Sequence, residues 1–176
     1  MTGPGTLPWT AASAELVAAP VAAALAGWSD AQQVLAAPID DALADTAEFC
    51  AAYEVSPADS ANCVVIAGRR GDLTRYAACV LLAITRADVN TLVRKRMDAR
   101  KASFAPMAEA VSLTGMEYGG ITPIGLPADW AVYVDRAVLD RDLVVIGSGL
   151  RRSKIALPAR LLAELPNAEV VDGLAS

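Results

Sequence analysis

Apolar positions along this chain switch between two periods. Residues 62–68 (NCVVIAG) and 74–85 (TRYAACVLLAIT) are short, apolar and rich in β-branched residues. Arg70-Gly71-Asp72 separates them, so the pair predicts a β-hairpin. Further strands are predicted at 32–39, 131–134, 143–146, 153–157 and 168–171, with a short extended piece at 103–104. Helical spacing predicts a helix over 41–53, with acids in its first turn, and another over 89–97 capped by Asp88. Residues 12–26 read as a helix interrupted at Pro20, and 107–114 as a short helix stopped by Gly115. Pro158 is placed to start a helix over 159–165. Adjacent hairpins without regular βαβ alternation make the expected class α+β.

A length of 176 residues suits one domain, and 55% hydrophobic residues can supply its core. Within it, residues 1–30 are expected to form an N-terminal helical extension and residues 31–176 the main domain. No run of 18 apolar residues is free of charges or breakers, so no membrane partner is expected. Three cysteines (Cys50, Cys63, Cys79) without C-x-x-C spacing indicate neither a disulfide framework nor a zinc site. Free thiols and the lack of a signal-like N-terminus fit a cytoplasmic protein.

Histidine is absent altogether. That excludes Ser-His-Asp and Cys-His catalysis and His-ligated zinc. Any hydrolysis must use backbone groups, hydroxyls, carboxylates, lysine or the substrate itself. The charge is segregated. No Lys or Arg precedes Arg69, whereas Arg69, Arg70, Arg75, Arg86, Arg94, Lys95, Arg96, Arg100 and Lys101 crowd one segment. With a net charge of −5, general DNA binding is not expected, but this segment can hold a few phosphates.

Residues 115–135 read GMEYGGITPIGLPADWAVYVD. Paired glycines allow close backbone approach or positive φ, and Thr122 before Pro123 is biased toward extended structure. The Gly119–Gly125 stretch (GGITPIG) resembles the Gly-Gly-(Val/Ile)-(Ser/Thr)-Pro-x-Gly signature of the YbaK-type aminoacyl-tRNA deacylases, the prolyl-tRNA editing domains. The resemblance extends from about Gln32 to Val171. It includes residues 62–66 (NCVVI) as the family's Lys-(Thr/Ser)-Leu-led strand, residues 132–135 (VYVD) and the Gly147-Ser148-Gly149 loop.

This resemblance implies a single α+β domain with a mixed, mostly antiparallel, β-barrel-like sheet surrounded by helices. It implies a trans-acting deacylase that hydrolyses the ester of misacylated tRNA by backbone- and substrate-assisted water attack, with no cofactor and no metal. The implied partners are the acceptor end of a misacylated tRNA and an aminoacyl-tRNA synthetase. The implied catalytic positions are Asn62, Gly119, Gly120, Thr122 and Asp135, and the substrate-binding ones Lys101, Pro123, Gly125, Gly147, Ser148 and Gly149. One departure stands out. The family's strand-leading lysine, implied to hold a terminal phosphate, is Asn62 here. Asn carries no charge, so a charge-assisted contact is lost unless Lys101 or an arginine from 94–100 replaces it. The alternative is a binding module of the same fold, weakened in catalysis, that holds tRNA, a nucleotide or a protein partner.

Overall fold

The structure is a computed structural model that describes residues 2–176. The strands are β1 (Thr10–Ala11), β2 (Leu35–Pro38), β3 (Ala61–Arg70), β4 (Leu73–Leu82), β5 (Lys101–Phe104), β6 (Ala131–Asp135), β7 (Leu143–Gly147), β8 (Ser153–Pro158) and β9 (Ala168–Val171). The helices are α1 (Ala19–Ala26), α2 (Thr46–Tyr53), α3 (Arg94–Arg96), α4 (Met107–Thr114) and α5 (Arg136–Leu139). Short 3-10 turns join several of them.

The strands form two sheets. One is antiparallel in the order β1-β2-β8-β7, and the other runs β5-β3-β4-β6-β9, with β6 parallel to both neighbours. The predicted hairpin is β3–β4, paired without a break from Ala61↔Leu82 to Arg70↔Leu73. The fold is a single α+β domain, but the sheets do not close into a barrel. Among the described residues one isolated parallel bridge, Ser60↔Val145, joins their backbones. Beyond that pair β3 turns to β4, and a gap opens between β3 and β7.

Strand alternation builds the core. On β4, Val80 and Leu82 point toward Val144, Ile146, Ile155 and Leu157 of the other sheet. Ala77, Cys79 and Leu81 face the opposite way, against Val89, Val93 and Met97. A third cluster packs Phe49 and Cys50 of α2 against Leu35, Val145 and Ala156.

Three helices differ from the pattern-based reading. Pro20 lies in the first turn of α1 rather than interrupting a longer helix, because its missing N–H costs nothing there. Residues 41–53 split into a 3-10 turn (Asp41–Leu43), capped by the Asp40 side chain, and then α2. Asp88 does accept from Thr91 N, but the turn it caps is π-helical (Val89–Val93) and runs into α3. Residues 2–30 are integrated with the rest. β1 pairs with β2, and Val21 and Leu25 of α1 belong to the main core.

Candidate functional site

The gap between β3 and β7 is a cavity of about 430 Å³. Its walls come from the loop before α2 (Ala44–Thr46), Phe49, residues 60–65, Phe104 and Ala105, α4, Tyr118, Gly119 and Ile121, and the end of β7. Its floor carries Lys154 of β8, which lies opposite Gly147 in the β7–β8 register. The residue is only 7% exposed. Its ammonium donates to Ala44 O at 2.9 Å and sits 5.0 Å from the centre of the Phe49 ring. Burial lowers its pKa to about 8; Cys50 and Asp45 oppose that shift and Arg151 adds to it. No carboxylate lies within ion-pairing distance of it among the described residues.

Asn62 stands on the β3 wall. Thr46 donates to its carbonyl oxygen at 2.8 Å, which leaves its NH2 group with no acceptor among the described residues. The Cys63 thiol also lines the cavity, but burial pushes its pKa up, so it stays protonated and is no nucleophile. Among the described residues no cluster of His, Cys, Asp or Glu could hold a metal ion. The rim is apolar and aromatic. Phe104 is 61% and Tyr118 53% exposed, an uncommon degree for such side chains.

The glycines act differently from their sequence-based role of approaching a ligand. Gly120 N–H donates to Glu117 O, and Gly149 N–H donates to Gly120 O at 2.7 Å. Both donors are therefore taken and cannot stabilise an oxyanion. A Cβ on Gly120 would lie 2.6 Å from Leu150 O, and one on Gly147 would collide with Gly120 O. The glycines let the 117–121 and 147–150 backbones cross each other, which shapes one wall. Arg151 straps this wall by donating to Tyr118 O and Asp41 O, both at 3.1 Å.

The family model of the aminoacyl-tRNA editing domain matches residues 40–165. The chain belongs to the aminoacyl-tRNA editing domain family. Solved structures share its fold. A candidate trans-editing enzyme for prolyl tRNA synthetase is 20% identical, with a TM-score of 0.74 over 87% of this chain and 93% of that one. A hypothetical protein is 24% identical, with a TM-score of 0.67 over 79% of this chain and 86% of that one. A candidate signal transduction protein from Marinobacter aquaeolei VT8 is 20% identical, with a TM-score of 0.57; the match covers 89% of this chain and 30% of that one. No curated protein matches the chain significantly.

Within this editing domain the residues singled out in the sequence do not all converge. Asn62, Gly119 and Gly147 line the cavity. Gly120 lies behind the wall. Thr122 is fully buried, its hydroxyl without a hydrogen-bond partner among the described residues, and it does not line the cavity. Pro123 and Gly125 line a separate, mostly apolar cavity of about 320 Å³ beside Trp28. Ser148 is a buried structural hydroxyl, bonded to Ser153 Oγ at 2.7 Å, and Gly149 packs near Ala18. Asp135 is buried at the end of β6, away from the cavity. Burial raises its pKa, and backbone N–H groups of Leu174, Arg136 and Ala175 pull it part-way back, so it ties down the C-terminal segment.

Lys101 lies with Arg69, Arg94 and Arg100 in an open groove of about 420 Å³. None of these four is ion-paired among the described residues. The groove therefore collects the basic segment, but it is not the cavity. Lys154 was missed by the sequence reading. It follows Arg151 and Arg152 in an otherwise apolar strand, and no periodicity marks it as facing a cavity rather than a core.

Proposed function

We propose that this editing domain is a trans-acting deacylase that hydrolyses the ester of a misacylated tRNA. The observation that carries the reading is the cavity between the sheets of an editing-family fold, with polar donors at Asn62 and Lys154 and a basic groove one strand away. β5 runs from Lys101 in the groove to Phe104 on the cavity rim, a span of about 10 Å at the usual rise per residue. In this arrangement the groove holds backbone phosphates, and Phe104 and Tyr118 stack the terminal base. The esterified amino acid then enters the cavity.

An aminoacyl ester is already activated, so positioning and oxyanion stabilisation suffice. Water attacks the ester carbonyl, and the free vicinal hydroxyl of the terminal ribose relays a proton, accepting one from the water as it gives its own to the leaving ribose oxygen. The acyl–oxygen bond breaks, releasing the amino acid and leaving tRNA with its 3′ end restored. The Gly120 and Gly149 amides are occupied and supply no donor for the oxyanion. Selectivity follows from the size of a cavity walled by Phe49, Val64, Val65, Ile121 and Val145. A synthetase partner and a cytoplasmic setting follow from the same reading.

Deacylation of a panel of misacylated tRNAs tests it. Release of one amino acid class by the wild-type protein is expected. A folded protein that binds tRNA and releases none would make the chain a binding module of this fold.

A further inference from the structure

We propose that Lys154 supplies the cation of this cavity and binds the phosphate attached to the terminal nucleoside. The inference rests on the deacylase reading for the identity of the ligand, though not for the existence of the charge site.

Three observations lead there. First, the ammonium is buried and uses one of its three donors, toward Ala44 O at 2.9 Å. Among the described residues no carboxylate is paired with it; the cavity's own carboxylate, Asp45, lies 3.7 Å from Arg151 instead. A buried cation without a counter-ion is costly, and an anionic ligand removes that cost. Second, Lys154 lines an open, ligand-sized cavity rather than sealed core. Third, Asn62 lines the same cavity from β3, and its NH2 lacks an acceptor among the described residues. Lys154 from β8 and Asn62 from β3 line the same cavity, and together they offer an ammonium and an amide to one oxyanion group.

The charge expected on β3 is thus supplied from β8. Lys154 gives the cavity its charge, and Asn62 gives it a neutral donor. A second lysine at position 62 would add a like charge to the same space, so a neutral residue there is consistent with Lys154 already being present.

The test compares adenosine 5′-monophosphate with adenosine, two probes that differ only by the phosphate. The wild-type protein is expected to bind the monophosphate at least about tenfold more tightly, the contribution of a charge-assisted contact. Lys154→Met, which keeps the length and removes the charge, should abolish that preference while leaving adenosine affinity within about twofold. The double variant Lys154→Met with Asn62→Lys should regain most of it, because the charge returns from β3.

The preference should also fall as pH rises through about 8, where Lys154 loses its proton. The titratable or charged groups around it are Asp45, Cys50, Cys63, Tyr118 and Arg151. Cys63, pushed up by burial, stays neutral through that range. If Lys154→Met does not fold, this pH profile of the wild type carries the test.

A monophosphate preference that survives in folded Lys154→Met, or that is flat between pH 7 and 9, overturns the proposal. So does the absence of any preference in the wild type. Deacylation measured in parallel separates the two readings. Loss of preference in Lys154→Met from a protein that cleaves no misacylated tRNA sinks the deacylase and keeps the charge site. Cleavage and preference both unchanged in Lys154→Met sink the charge site alone.

Discussion

The cavity and the groove both offer positive charge, and they hold it in opposite ways. In the groove, Arg69, Arg94, Arg100 and Lys101 lie open to water around one strand. In the cavity a single ammonium is buried against Ala44 O and the Phe49 ring. Water screens the first set, so each member contributes little alone and the set acts by number. Desolvation makes the second strong and costly, so one residue suffices to define a contact. Crowding of charge in sequence therefore marks where a polyanion can lie, not where a specific ligand group is held.

The largest expected effect separates the rigidity of the two regions. Gly120→Val places a branched side chain against the Leu150 backbone, 2.6 Å from its carbonyl oxygen at the Cβ alone. Backbone cannot repack as a side chain can. The substitution should cost at least about 3 kcal/mol in chemical denaturation, or prevent folding outright as read by circular dichroism. Replacing Lys101 by Val in the groove should stay within about 0.5 kcal/mol. A fully stable Gly120→Val protein would show that the loop crossing is adjustable.

Next comes the pH dependence of stability. Burial lowers the Lys154 pKa from 10.5 to about 8. Between those values the unfolded chain keeps a proton that the folded protein has released, so stability rises with pH across that window. The full cost applies below pH 8. The wild type should therefore gain about 3 kcal/mol on Lys154→Met between pH 8 and 10.5. The difference between the two proteins is the quantity to follow, because the buried thiols of Cys63 and Cys79 act oppositely in both. With pKa values raised by burial, they lose stability as pH climbs past their unfolded value of 9. No such rise is expected when Arg94, Arg100 and Lys101 are neutralised. Parallel pH curves for wild type and Lys154→Met would mean that the ammonium is hydrated.

A smaller effect tests the groove. Replacing Arg94, Arg100 and Lys101 by Glu should flatten the slope of log affinity for a CCA-ended RNA against log salt by about 2 to 3, at roughly 0.7–0.9 for each phosphate contact. Lys154→Met should change that slope by no more than about 1. Equal changes would erase the distinction between the two regions. Phe104→Ala, on the strand between them, should weaken the same RNA by about 1–2 kcal/mol with the slope unaltered.

The smallest effect is expected from Asn62→Lys alone. Read from the sequence, this change restores a missing charge and should raise activity. With Lys154 already in the cavity, monophosphate affinity should move by less than about threefold, because the two ammonium groups depress each other's protonation. A tenfold gain would show that Lys154 does not serve the site.

Much of the framework was legible in the residue pattern. The β3–β4 hairpin follows from two apolar runs and the Arg70-Gly71-Asp72 turn, and the stop of α4 follows from Gly115, whose φ is +66°. The order of motifs from Gln32 to Val171 indicated the family, and the match over residues 40–165 agrees with it. These are local or linear properties, and a sequence carries them directly.

The destination of each polar group was decided elsewhere. Asp135, Ser148, Thr122 and Gly120 sit in the motif-bearing stretches, yet tertiary packing turns them to the C-terminal segment, to Ser153, into the core and behind the wall. Lys154 lies on a strand that reads as apolar core. It becomes a cavity floor only because β3 leaves β7 after the Ser60↔Val145 bridge and exposes it. Local sequence sets which face of a strand a residue occupies, since side chains alternate with period two. Whether that face meets core, solvent or cavity depends on where two sheets part, and that is fixed by contacts far apart in the chain.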